Sequence, residues 1–96
     1  MINKTYFYSK IGSNINQIRK DRNLTIEQFS SETDLNLTKS TLSGIENGKQ
    51  QLSLYQAFLI SKNLDIPFDT IFKDAEKEDS NNFELLQPDI KQIENL

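Results

Sequence analysis

The stretch Lys39-Ser-Thr-Leu-Ser-Gly-Ile-Glu-Asn47 concentrates the groups in this sequence best suited to specific recognition chemistry. At 3.6 residues per turn, Leu42 and Ile45 share one side, and Lys39, Ser40, Thr41, Ser43, Gly44 and Asn47 are left on the other. Hydroxyls, an amide and an ammonium can exchange hydrogen bonds with base-pair edges, and small residues allow close approach to a DNA major groove. The same face also suits a solvated helix with no partner, and residue types alone leave both readings open. Catalysis finds less support. With no histidine and no cysteine, Ser–His and Cys–His pairs, thiolate metal sites and a disulfide framework are all excluded. The three glycines, Gly12, Gly44 and Gly48, fall inside or at the ends of predicted helices, leaving no glycine-rich phosphate loop. The carboxylates lie on polar helix faces and in the tail, aligned with no base or nucleophile. The expectation is no enzyme, no metal and no cofactor.

Holding such a face toward a partner requires a scaffold of short helices, and the sequence spells one out. Ninety-six residues make one small domain. Ser9 caps a first helix with Ile11, Ile15 and Ile18 at i, i+4 and i+7, closed by Asn23 in a left-handed position. Thr25-Ile-Glu-Gln28 is a capping box that opens a second helix with Phe29 inward and Leu24 before it. Thr38 caps the third, which closes at Asn47-Gly48. Ser53-Leu-Tyr-Gln56 is another capping box, and it predicts a fourth helix with Leu54, Ala57, Phe58, Ser61 and Leu64 inward. Ile66-Pro67 starts a short fifth helix ending near Ile71-Phe72. Strand alternation is absent and no heptad persists. The predicted fold is all-α, a compact bundle of five short helices.

The net charge of −3 hides an asymmetry. Residues 1–72 carry eight basic and seven acidic groups, whereas residues 73–96 carry three basic and seven acidic ones. The acidity therefore describes the tail, and composition alone does not choose the partner. Residues 1–8 are expected to be an N-terminal arm, 9–72 the folded domain, and 73–96 an acidic extension. Within that extension, 73–82 reads as a solvated linker, and Phe83, Leu85, Leu86, Ile90 and Ile93 restore some apolarity. No segment is long and apolar enough to span a bilayer, and no signal-peptide core stands at the start.

Residues 11–72 resemble the helix-turn-helix domain of the Cro and phage-repressor type, the XRE family, whose fold is that of lambda repressor. The matching landmarks include Ile11-Gly12, Ile18-Arg19, Asn23-Leu24-Thr25, Ser40-Thr41-Leu42-Ser43, Ile45-Glu46-Asn47-Gly48-Lys49, Leu64-Asp65-Ile66 and Phe68-Asp69-Thr70-Ile71-Phe72. The resemblance implies a cytoplasmic, nucleoid-associated transcription regulator that binds a double-stranded DNA operator, an inverted repeat, as a homodimer. Carried across, it gives Lys39, Ser40, Thr41, Ser43, Gly44 and Asn47 recognition-helix positions and sets Lys49 and Gln50 in the loop that touches phosphate. Arg19 and Glu46 match a structural ion pair. Ser43-Gly44-Ile45-Glu46 also looks like the small controller proteins of restriction–modification operons.

Three departures stand against the family pattern. The interval from Leu24 to Glu46 is two residues longer, with Asp34-Leu-Asn-Leu37 in place of a tight turn. Ile26 replaces a phosphate-bonding glutamine, and Gly44 replaces a long base-reading side chain. The alternative is an antitoxin or protein-interaction module with weak or no DNA binding, which the acidic tail and low cation count favour. For the dimer, Tyr55 and Leu59 fall off the predicted core stripe of the fourth helix, and with Leu52 before it and Phe68 after it they form the expected interface. Tyr6, Phe7 and Tyr8, or the apolar residues beyond 82, are the intramolecular alternatives for covering it.

Overall fold

Five helices follow one another in the computed structural model, which describes residues 3–77. They are α1 (Lys4–Asp21), α2 (Ile26–Glu32), α3 (Lys39–Glu46), α4 (Leu54–Leu64) and α5 (Phe68–Ile71). No strand occurs among the described residues. Most of the predicted punctuation is present. Both capping boxes form, Thr25 with Gln28 and Ser53 with Gln56, and the Thr38 hydroxyl accepts from the Thr41 N–H. At the end of α1, Asn23 is left-handed (φ 57°) and the Leu24 N–H reaches back to the Arg19 carbonyl at 3.2 Å. That double-back satisfies carbonyls the helix would otherwise leave open.

The start of α1 differs from expectation. Asn3, not Ser9, is the cap, its side-chain oxygen accepting from the Tyr6 N–H at 2.9 Å. Residues 4–8 are therefore helix rather than arm. The reason is tertiary: Phe7, one turn before Ile11, stacks on Phe72 with ring centroids 6.4 Å apart, and Phe72 in turn meets Phe68 at 4.9 Å. Packing gives the extra turns a partner that local propensity alone does not supply.

Ile11, Ile15 and Ile18 of α1 meet Phe29, Leu42, Ile45, Ile60 and Ile71 in one core. The longer connection between α2 and α3 is absorbed in a pinned turn. Asp34 and Asn36 take left-handed conformations, and Leu35 turns into the core. The Ser30 hydroxyl accepts from the Leu37 N–H at 2.7 Å and donates to its carbonyl at 3.1 Å. Asn63 of α4 donates to the Thr33 carbonyl at 2.8 Å, tying this turn to the rest of the bundle.

Two further expectations are corrected. On α4 the buried residues are Ala57 and Ile60, with Leu64 half-buried, whereas Leu54 and Phe58 face solvent. The helix is apolar almost all round, so its pattern alone does not fix which stripe turns inward. After Phe72 the chain is not yet solvated linker, because Ala75 is fully buried in the core. Asn14 holds this exit by donating to the carbonyls of Ile71 and Lys73, each at 2.9 Å. Phe83, Leu85, Leu86, Ile90 and Ile93 lie outside the described residues.

Candidate nucleic-acid interface

The orientation of α3 is set by its contact with α1. Gly12 lies where the two helices touch. A Cβ there would overlap the Ile45 carbonyl oxygen and stand 2.7 Å from that of Glu46, so only glycine permits this approach. One turn earlier, Gly48 (φ 77°) packs against Ser9, whose Oγ would be 2.6 Å from an added Cβ. Two turns after Gly12 the contact becomes polar. Arg19 Nε donates to Glu46 Oε2 at 2.7 Å, and Arg19 Nη2 donates to Oε1 at 3.0 Å. The remaining guanidinium arm, Nη1, donates to the Leu24 carbonyl at 2.9 Å. Both side chains are largely withdrawn from water, 13% and 5% exposed. The hydrogen bonds to Glu46, helped by its charge, hold the guanidinium above its ordinary pKa despite burial. The pair predicted from sequence is thus formed, and it is structural: Glu46 has its oxygens engaged inside the chain.

Sequence reasoning missed Asn16, which donates to Glu46 Oε1 at 2.8 Å. Its signal was present, since Asn16 lies three residues before Arg19 on the same face of α1. Asn14 was missed as well, and nothing in its sequence neighbourhood points to the carbonyls it binds 57 and 59 residues away.

With its inner side locked, α3 presents the remaining residues outward. Lys39, Ser40 and Asn47 are exposed, while Thr41, Ser43 and Gly44 are half-buried in the same surface. Thr38 Oγ1 donates to Thr41 Oγ1 at 2.9 Å, and Asn47 Nδ2 approaches Ser43 Oγ at 3.4 Å. Lys49 and Gln50 are exposed on the loop that follows, their N–H groups both donating to the Gly44 carbonyl, at 2.8 and 3.2 Å. All eight residues thus lie on α3 or on the loop that folds back onto its Gly44 carbonyl. Between Thr38 and Gln51 the sole carboxylate is Glu46, and it is consumed by Arg19. The face accordingly carries Lys39 and Lys49 with no opposing charge of its own, the sign a phosphate backbone requires. The early helical turns add to it: Lys4, Thr5 and Tyr8 line a shallow groove with Gly48, Lys49, Gln50 and Gln51.

The expected dimer residues divide. Tyr55 is 68% exposed and Phe68 36%, as an interface needs. Leu52 is buried in the core, and Leu59 is half-buried against it, so neither is offered as predicted. Leu54 (75% exposed) and Phe58 (51%) stand on the outward side of α4 instead. Among the described residues no group of His, Cys, Asp and Glu could hold a metal ion, and no helix is long and apolar enough to cross a membrane.

Comparison with known proteins agrees with this geometry. A helix-turn-helix family model matches residues 15–71, which spans α2 and α3 together with most of the core that carries them. Over 70 residues the chain is 37% identical to the control protein C.MunI of Mycoplasma sp., covering 72% of this chain and 92% of that protein.

Proposed function

The chain belongs to the XRE-type helix-turn-helix family of DNA-binding transcription regulators, and on that premise we propose that it acts as a homodimer on an inverted-repeat operator, in the manner of a controller protein. The observation that carries this reading is the division of labour on α3. One side is fixed to α1 by Gly12 and the Arg19–Glu46 pair, and the other offers hydroxyl, amide and ammonium groups with no free carboxylate among them. Lys39 and Asn47 are the leading candidates for discriminating bases, with Ser40, Thr41 and Ser43 as permissive contacts. Lys49 and the N-terminus of α3 serve the phosphates.

The dimer follows from two considerations. A helix of eight residues reaches too few base pairs to define an operator, and two-fold pairing doubles its contacts at fixed spacing. Leu54, Tyr55 and Phe58 supply an apolar face on α4, extended by Phe68, of the kind that a second copy covers. Footprinting on the DNA upstream of the chain's own gene and of its neighbours tests the proposal. Two protected half-sites in inverted orientation, with centres about one helical turn or a small multiple of it apart, are expected. A single unpaired protected site would refute the dimeric reading, and no protection anywhere, with no retardation of duplex DNA at low salt, would favour the protein-interaction alternative.

A further inference from the structure

The outer face of α3 has a gap at its middle. Ser40, Gly44 and Asn47 follow one another at i, i+4 and i+7, so the central position of that line carries no side chain. The gap is filled from outside the helix. A Cβ on Gly44 would lie 3.1 Å from Gln50 Cγ, 3.3 Å from Cδ and 3.3 Å from Nε2, so the Gln50 side chain is laid across the glycine along its length. The loop that brings it there is fixed rather than incidental. Gly48 reverses the chain at φ 77°, and the N–H groups of Lys49 and Gln50 both close onto the Gly44 carbonyl. Gln50 is exposed, so the amide meets whatever docks on α3.

We infer that Gln50 is the base-reading side chain at the centre of this surface, standing in for the side chain that Gly44 lacks, and that it recognises an adenine. A glutamine carboxamide accepts from adenine N6 and donates to N7 at the same time, a bidentate pairing the neighbouring hydroxyls do not make. Lys49, a point charge on the same loop, remains a phosphate contact. This reassigns Gln50 from holding the backbone to reading sequence, and it rests on the DNA-binding reading above.

The test is selection from a randomised double-stranded DNA library by the full chain, with Gln50→Ala, Gly44→Ala and Lys49→Ala in parallel. Wild type should enrich an A·T pair at one position of the half-site. In Gln50→Ala the preference at that position alone should fall by about 5- to 150-fold, the remaining consensus and the melting temperature being unchanged. Gly44→Ala should weaken preference at the same position, because its Cβ forces the glutamine to give by a few tenths of an ångström. Lys49→Ala should instead weaken all sequences alike and lower the salt slope by about one. Retention of the wild-type consensus by Gln50→Ala, with or without uniform weakening, would overturn the inference, as would undiminished discrimination by a folded Gly44→Ala. Wild type that retards duplex DNA yet enriches no sequence overturns it while leaving DNA binding in place. Wild type that neither enriches nor retards overturns both.

Discussion

Along the seam between α1 and α3, the Glu46 carboxylate receives three hydrogen bonds from Asn16 and Arg19, whereas the outward side of α4 turns Leu54, Tyr55 and Phe58 to solvent. Among the described residues the first region is completed within the chain and the second is left open. A buried, fully partnered ion pair contributes little net stability compared with an apolar isostere, but it is costly to break and has one geometry. That suits a contact that holds α3 in one orientation. Exposed aromatic and aliphatic groups gathered on one helix have the opposite character, since their burial by a second copy is favourable and needs no particular partner atom. On the proposed reading, the seam fixes the orientation of α3 and the α4 face takes a second copy of the chain.

Breaking the seam should have the largest effect. Glu46→Ala strands the Arg19 guanidinium and should cost about 3–5 kcal/mol, lowering the melting temperature by at least about 12 °C in a domain of this size. DNA affinity should fall as a consequence, and a variant that melts within a few degrees of wild type would show that the pair does not orient α3. Gly12→Ala comes next. Its Cβ has nowhere to go between the two helix backbones, and parting them should cost about 1–3 kcal/mol by thermal or urea unfolding. A Gly12→Ala protein as stable as wild type would mean that the close approach is dispensable.

The α4 face should respond in the other sense. Phe58→Glu changes a half-exposed side chain, so the stability of the single chain should move by no more than about 0.5 kcal/mol. Sedimentation should nevertheless shift from dimer to monomer, and cooperative operator binding should disappear. Leu59→Glu is a poorer probe of assembly because Leu59 packs on the core and its loss confounds folding with pairing. A wild type that sediments as a monomer at micromolar concentration would remove the assembly half of the contrast.

How much of this was visible in the sequence differs between the same regions. Capping boxes are local, so Thr25–Gln28 and Ser53–Gln56 announced two helix starts correctly, and Asn23 and Gly48 marked two ends. The Arg19–Glu46 pair was legible only through family resemblance, because nothing local links residues 27 apart. The start of α1 was misplaced: Ser9 is a good cap in isolation, but the Phe7–Phe72 contact that extends the helix is tertiary. The rotation of α4 was unreadable for a different reason. Leu54, Tyr55, Ala57, Phe58, Leu59, Ile60 and Leu64 leave few polar residues to define an outside, so the pattern puts Leu59 at the surface and Phe58 in the core, whereas Leu59 is half-buried and Phe58 exposed. Which side of α3 turns inward was legible because Leu42 and Ile45 are the only large apolar residues in an otherwise polar helix. The placement of Gln50 over Gly44 depends on how the following loop folds back, and no periodicity encodes that.

The central claim is that the outer face of α3 binds DNA, and a titration against duplex operator with wild type beside Thr41→Ala and Asn47→Ala tests it most directly. Both substitutions lie on the surface side of α3, so their melting temperatures should stay close to that of wild type. Wild type should retard the duplex and release it as salt rises, with a shallow slope because Lys39 and Lys49 are the only cations from Thr38 to Gln51. Each substitution should weaken operator binding, and Asn47→Ala should also reduce discrimination against a random duplex. Both variants binding the operator as wild type does, at unchanged stability, would contradict the account.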